Sequence, residues 1–213
     1  MWTAAKRSGA QMMKIRRLFF SAILISFIPV GGNQQEARID RVTAEEYAVY
    51  SALLNEIKVS PQDGKEVKLL VISDQTKGPD KTCSPEEIDR WYDRMIVVEL
   101  KPLLENLIEK NRSSKSLHMK FGVNKKYVLL TAQNYSSIFE NIDLDGWTDF
   151  YKKYPASSGY ITFSRVGFNS DGTKAVIYRE VSCGGLCGYG GYILLSKDNG
   201  AWKEINGYGC WMS

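Results

Sequence analysis

From position 47 the apolar residues follow a helical period. Tyr47, Tyr50, Leu53, Leu54 and Ile57 recur at spacings of three and four, which puts them on one inward stripe. Thr43 and Glu46 stand where a capping box needs them, each side chain able to take the other's free backbone N–H, so a helix is predicted to begin there. Ser60-Pro61-Gln62-Asp63-Gly64 supplies the turn residues that end it. The run 67–72 is almost wholly apolar and rich in β-branched residues, the pattern of a central strand buried on both faces. After a polar loop over 74–82, Ser84-Pro85-Glu86-Glu87 gives an N-cap, a proline where no N–H is needed, and acids at the positive helix end. Ile88, Trp91, Tyr92, Met95 and Val98 continue that helix until Pro102 predicts a kink or restart before Leu103, Leu104, Leu107 and Ile108. The stretch 111–124 reads as a basic loop, 127–131 as a strand and 135–140 as a short helix.

At Gly159 the period changes to two. The runs 160–168, 174–181, 192–196 and 201–205 are separated by Ser170-Asp171-Gly172, by the stretch Cys183-Gly-Gly-Leu-Cys187-Gly-Tyr-Gly-Gly191, and by Asp198-Asn199-Gly200, which predicts an antiparallel meander of four strands. Five glycines between 184 and 191 suit positive φ and a tight or bulged turn. Helices first and hairpins afterwards give an α+β fold, with N-terminal helices packed on one face of an antiparallel sheet that ends in this meander. No linker or repeat divides residues 33–213, so they are expected to form a single domain.

Lys6, Arg7, Lys14, Arg16 and Arg17 precede an apolar run of 13 residues from Leu18 to Val30, and Gly31-Gly32 closes it. That order reads as a secretory signal peptide over 1–32, the run being shorter than the roughly 20 residues of a membrane span. The expected location is therefore secreted or periplasmic, with no stable span once the leader is cleaved. The leader holds 5 of the 28 Lys+Arg and none of the 24 Asp+Glu, so the mature chain keeps 23 basic residues against 24 acidic ones, a net charge of −1. A nucleic-acid partner, which calls for a basic face, loses its compositional support. The expected partner is a protein or an envelope or extracellular ligand.

All four cysteines, Cys83, Cys183, Cys187 and Cys210, lie in the mature part, and an even number in an oxidising compartment predicts two disulfides. A hairpin reversing over Gly-Gly-Leu can bring Cys183 and Cys187 within bridging distance. Cys83 and Cys210 are left to tie a distant loop to the C-terminus, a closure of over 100 residues that removes about 4 to 5 kcal/mol of unfolded-chain entropy. The Cys183/Cys187 pair could instead be a redox couple, or part of a zinc site using all four thiols. Its spacing is one residue longer than the Cys-x-x-Cys of thioredoxin-like enzymes and no helix N-terminus lowers a thiol pKa, which favours the staple.

No complete catalytic, metal or cofactor pattern is present, and no cofactor is expected. Asp74 stands at the exit of the central strand, where sites gather, and is the candidate for carboxylate-based hydrolysis. His118 is the only histidine, so any His-dependent scheme must use it. Asp143-Leu144-Asp145-Gly146 matches only part of a calcium loop, lacking the third carboxylate and the closing Glu. Trp147, Phe150, Tyr151 and Tyr154 read as a helical core stripe. Tyr189, Tyr192, Tyr208 and Trp211 cluster near the glycine stretch and the tail, where they either pack in the core or form an aromatic recognition patch.

Several segments carry a resemblance. Glu46-Tyr47-Ala48-Val49-Tyr50-Ser51-Ala52-Leu53, Leu70-Val71-Ile72-Ser73-Asp74-Gln75-Thr76, Glu109-Lys110-Asn111, Tyr154-Pro155, Ser164-Arg165-Val166-Gly167-Phe168-Asn169 and Cys183-Gly-Gly-Leu-Cys187-Gly together resemble a family of uncharacterised secreted or exported bacterial proteins. The resemblance implies export and a shared fold, and it brings no catalytic residue with it. The leading expectation is a disulfide-stapled, exported binding module. The alternatives are a hydrolase using Asp74 or His118, and a thiol oxidoreductase using Cys183 and Cys187.

Overall fold

The computed structural model describes residues 41–79, 83, 94–140 and 146–213. The leader, the helix start at Ser84 to Glu87 and the Asp143-Leu144-Asp145 segment lie outside the described residues. In chain order the elements are α1 (Ala44–Glu56), β1 (Leu69–Ser73), α2 (Arg94–Lys110), β2 (Lys126–Leu130), α3 (Ala132–Phe139), α4 (Gly146–Lys153), β3 (Ser157–Phe163), β4 (Gly167–Phe168), β5 (Lys174–Gly184), β6 (Cys187–Asp198) and β7 (Ala201–Met212). The seven strands form one sheet in the order β2-β1-β3-β5-β6-β7, with β4 paired to β5.

The fold is α+β and ends in the antiparallel meander β5-β6-β7, while the first of the four predicted runs, 160–168, is broken into β3 and β4, both antiparallel to β5. Two features correct the simpler picture. The sheet is mixed, because β1 pairs in parallel with both β2 and β3; the intervening segments that carry α2 and then α3 and α4 are long enough for the crossovers that parallel pairing needs. Helices also cover both faces instead of one. Along β5, Ala175 and Ile177 face α1 and its stripe of Tyr47, Tyr50, Leu53 and Leu54, whereas Val176 and Tyr178 face Leu100, Leu103, Leu104 and Leu107 of α2. On β1, Leu70 and Ile72 join the α1 core and Val71 joins Phe150 of α4, so the apolar run signals two-sided burial. Helix α2 runs through Pro102 without the restart expected there.

The glycine stretch also departs from the turn predicted there. Only Gly185 and Leu186 stand at the turn, and Cys187 to Gly191 already belong to β6, paired with β5. None of the five glycines has positive φ. The left-handed conformations sit instead in the other turns, at Gly172 and at Asn199-Gly200, where two consecutive positive φ values close the β6–β7 hairpin.

Glu46 does more than cap α1. Its Oε2 accepts from Thr43 N at 2.9 Å and Thr43 Oγ1 accepts from Glu46 N at 3.2 Å, completing the capping box. The same carboxylate takes a bidentate ion pair from Arg165, Nε to Oε1 at 2.7 Å and Nη2 to Oε2 at 2.9 Å, with both side chains wholly buried. Val166 N donates to Oε1 as well, and Arg165 Nη2 also reaches Arg41 O. Burial alone would raise the Glu46 carboxyl, but the bond from Arg165, the nearby Lys110 charge and the Thr43 N–H outweigh it, so its pKa lies below the ordinary range.

Both cysteine pairs are closed, Cys83 with Cys210 at a Cα separation of 5.5 Å and Cys183 with Cys187 at 5.0 Å. The first spans 127 residues and the second 4.

Glu46→Ala leaves Arg165 buried and unpaired and should destabilise by about 3 to 5 kcal/mol, whereas a paired replacement by Met at 46 and Leu at 165 should cost less than the single change. Urea denaturation at pH 7 measures both. Because the Glu46 pKa is depressed, its contribution is full above the ordinary glutamate value of about 4.3 and is lost as pH falls through the lower folded-state value, so Glu46→Gln should flatten the acid side of the stability curve. For the bridges, Cys83→Ser should lose roughly 5 kcal/mol and Cys187→Ser roughly 2, from the loop lengths closed. Thermal melts giving equal losses would refute that entropic account.

Candidate functional site

On the face that carries Val71 and Val176, α2 packs at the β5–β6 side and α3 with α4 at the β1 side. Between them the sheet turns polar. Register places Tyr160 opposite Ser182, and Thr162 opposite Glu180, on β3 and β5, while Ser73 ends the neighbouring β1. With Lys77 from the loop after β1 and Tyr135 from α3, these residues line an open groove of about 640 Å³. It opens where the parallel strands β1 and β3 end, the part of an α/β sheet at which ligand sites gather.

Glu180 is the centre of the groove. It is 8% exposed, and its carboxylate is held by three donors: Lys77 Nζ at 2.7 Å and Thr162 Oγ1 at 3.2 Å to Oε2, and Tyr178 Oη at 2.9 Å to Oε1. Behind it, Trp211 Nε1 donates to Tyr178 Oη at 3.0 Å, so a hydrogen-bonded chain runs from the indole through the phenol to the carboxylate. Gly190 makes that chain possible. It lies between Glu180 and Trp211 across the sheet, and a Cβ there would stand 2.3 Å from Trp211 Nε1 and 2.9 Å from Tyr178 Oη.

The groove's aromatic wall is Tyr135 stacked on Tyr160, with centroids 4.2 Å apart. Burial raises both phenol pKa values; at Tyr160 a bond to Ser73 pulls the value back and the Asp74 charge pushes it up. Both hydroxyls are therefore neutral near pH 7 and can donate as well as accept.

Asp74 is next to this site and not in it. Its N donates to Leu130 O, its O accepts from Leu117 N, and its Oδ1 is buried without a hydrogen-bond partner, yet its side chain does not line the groove. The ionisable groups that do converge are Glu180 and Lys77. His118 is exposed on its loop and engages only through its backbone, donating to Tyr47 Oη at 2.7 Å. Cys183 is fully buried and bonded to Cys187, with its carbonyl accepting from Tyr151 Oη, whose own pKa is pushed up to about 12 by burial and then by Asp63. Among the described residues no group of three His, Cys, Asp or Glu could hold a metal ion, and no helix is long and apolar enough to cross a membrane.

Tyr189, Tyr192, Tyr208 and Trp211 all border a second hollow of about 550 Å³, floored by glycines of β6 and β7. Their side chains are not a common patch. Tyr192 and Tyr208 are buried in the α2 core, with Tyr192 Oη donating to Cys83 O at 2.7 Å, while half-buried Tyr189 packs against the α1 core on the other face. Trp211 serves the Glu180 chain. Sequence reasoning missed Glu180, Lys77 and Thr162; the available signal was a carboxylate set within the buried run 175–181, where alternation sends it inward.

Comparison of the chain with protein-family models, with curated proteins and with solved structures finds no match.

Proposed function

We propose that this chain is an exported, disulfide-stapled binding module whose ligand site is the groove over Glu180. The observation that carries this reading is the buried Glu180 carboxylate, fixed by three donors on the floor of an open groove. A carboxylate held so is a preorganised acceptor, which is what recognition requires, and its volume and mixed polar and aromatic lining suit a small ligand. Export is supported by the leader pattern and by two disulfides of the kind found in oxidising compartments. The hydrolase reading through Asp74 lacks a partner for it in the groove, and for the redox reading through Cys183 and Cys187 the pair is closed as a disulfide on a hairpin, with Cys183 buried and no helix N-terminus beside half-buried Cys187 to activate its sulfur.

The test is ligand retention. The mature protein, with both bridges formed, is incubated with small-molecule extract of its native envelope or medium, and bound species are weighed by native mass spectrometry. A bound molecule should be retained by the wild type and by Asp74→Asn, and its occupancy should fall at least tenfold in Lys77→Ala and in Tyr135→Ala. Equal occupancy in the groove variants, or conversion of the molecule to product in a manner abolished by Asp74→Asn, would overturn the proposal.

A further inference from the structure

We infer that the ligand of the Glu180 groove is a neutral polyhydroxylated molecule of the saccharide class. This rests on the groove being the binding site and adds what chemistry it selects.

Charge is the first argument. Apart from Gly78, Ala132 and the Lys77–Glu180 pair, every residue that lines the groove carries a neutral hydroxyl or amide. The one cation and the one anion of the lining are bonded to each other at 2.7 Å, so the lining itself carries no net charge for an ionic ligand, and the neighbouring Asp74 carboxylate stands outside it.

Valence is the second. A carboxylate has about four acceptor sites and Glu180 uses three, two of them on Oε2 and one on Oε1. Lys77 has three N–H donors, and its side chain is 54% exposed against 11% for Glu180, so its head reaches the open side of the groove. An alcohol is donor and acceptor at once. One hydroxyl can donate to the free site on Glu180 while it accepts from Lys77, and an adjacent hydroxyl then meets the Thr162 hydroxyl directly opposite on β3 or the Ser182 hydroxyl two residues along β5. An amine could only donate here and a carboxylate could only accept, leaving one half of the pair unanswered.

Shape is the third. Tyr135 and Tyr160, half-buried and stacked, place aromatic surface beside these polar groups, and a sugar ring presents C–H groups on its faces and hydroxyls at its rim. The juxtaposition of ring wall and paired charges matches that division.

The experiment is protein-observed NMR with isothermal titration, using neutral malto-, cello-, xylo- and chito-oligosaccharides as probes, with dipeptides and inorganic phosphate as rivals. At least one saccharide should shift the amides of Tyr160, Thr162 and Glu180. Its affinity should fall at least tenfold in Glu180→Gln and in Lys77→Met, the second a substitution of a half-exposed side chain that leaves the core untouched. Affinity should change less than twofold between 50 and 500 mM salt, as for a neutral ligand. Saccharides that leave the groove unmoved while dipeptides or phosphate shift those same amides would overturn the inference and leave the groove standing as the site. A saccharide that binds elsewhere, unaffected by both variants, would overturn the inference and count against the groove as well.

Discussion

The buried pair of Glu46 and Arg165 fixes how the two helical layers meet the sheet. Neither charge touches water, so each depends on the other and on every neighbouring donor and acceptor being in place. Arg165 stands in the break between β3 and β4, and the segment 164–168 around it is gripped from both sides. Tyr50 Oη of α1 donates to Ser164 O, while from α2 Lys110 Nζ donates to Val166 O and Asn106 Oδ1 accepts from Phe168 N. Asn111 Oδ1 accepts from Arg165 N. Gly167 completes the fit, since a Cβ there would stand 2.1 Å from Leu103 O. Helix α2 can approach β4 only because that position has no side chain.

That anchorage extends to the groove. Ser164 N donates to Tyr178 O, and Ser164 Oγ accepts from Tyr178 N at 2.9 Å, so the residue before the buried arginine sets the backbone of the residue whose phenol orients Glu180. The long disulfide acts from the other side. Cys210 immediately precedes Trp211 on the edge strand β7, and Cys83 O receives Tyr192 Oη in the core beneath. Bridge and ion-pair segment thus locate the first two members of one hydrogen-bonded chain, Trp211 to Tyr178 to Glu180. The groove is held by the same contacts that hold the layers.

Much of this was legible in the chain because it is local. The capping box of Thr43 and Glu46, the stripe of α1, the Asn199-Gly200 hairpin and the Cys183–Cys187 pairing each depend on spacing or on one turn, and Cys83 with Cys210 follows as the pair left over. What was not legible depends on partners far apart in sequence. Glu46 reads as half of a capping box, and nothing nearby announces Arg165, 119 residues on. The glycines after Cys187 read as turn residues, whereas Gly190 is required by the approach of Trp211 within a strand. Segments 46–53, 109–111 and 164–169, far apart in the chain, come together around the ion pair through contacts that no one of them announces alone.

The groove is a different case, because packing does not require it. A carboxylate on the inner face of β5 gives up several kcal/mol of hydration, and its bonds to Lys77, Thr162 and Tyr178 do little more than offset that loss. A well-packed apolar residue at position 180, beside the Val176 and Tyr178 core, would serve stability as well or better. At Glu46 the charges satisfy a strand break that has backbone groups in need of partners; at Glu180 the strand ladder is already complete, and the side chain answers no backbone demand. At Glu180 the fold therefore places a charge where stability gains nothing from it, and the cost of burying that carboxylate is offset by its three side-chain donors alone.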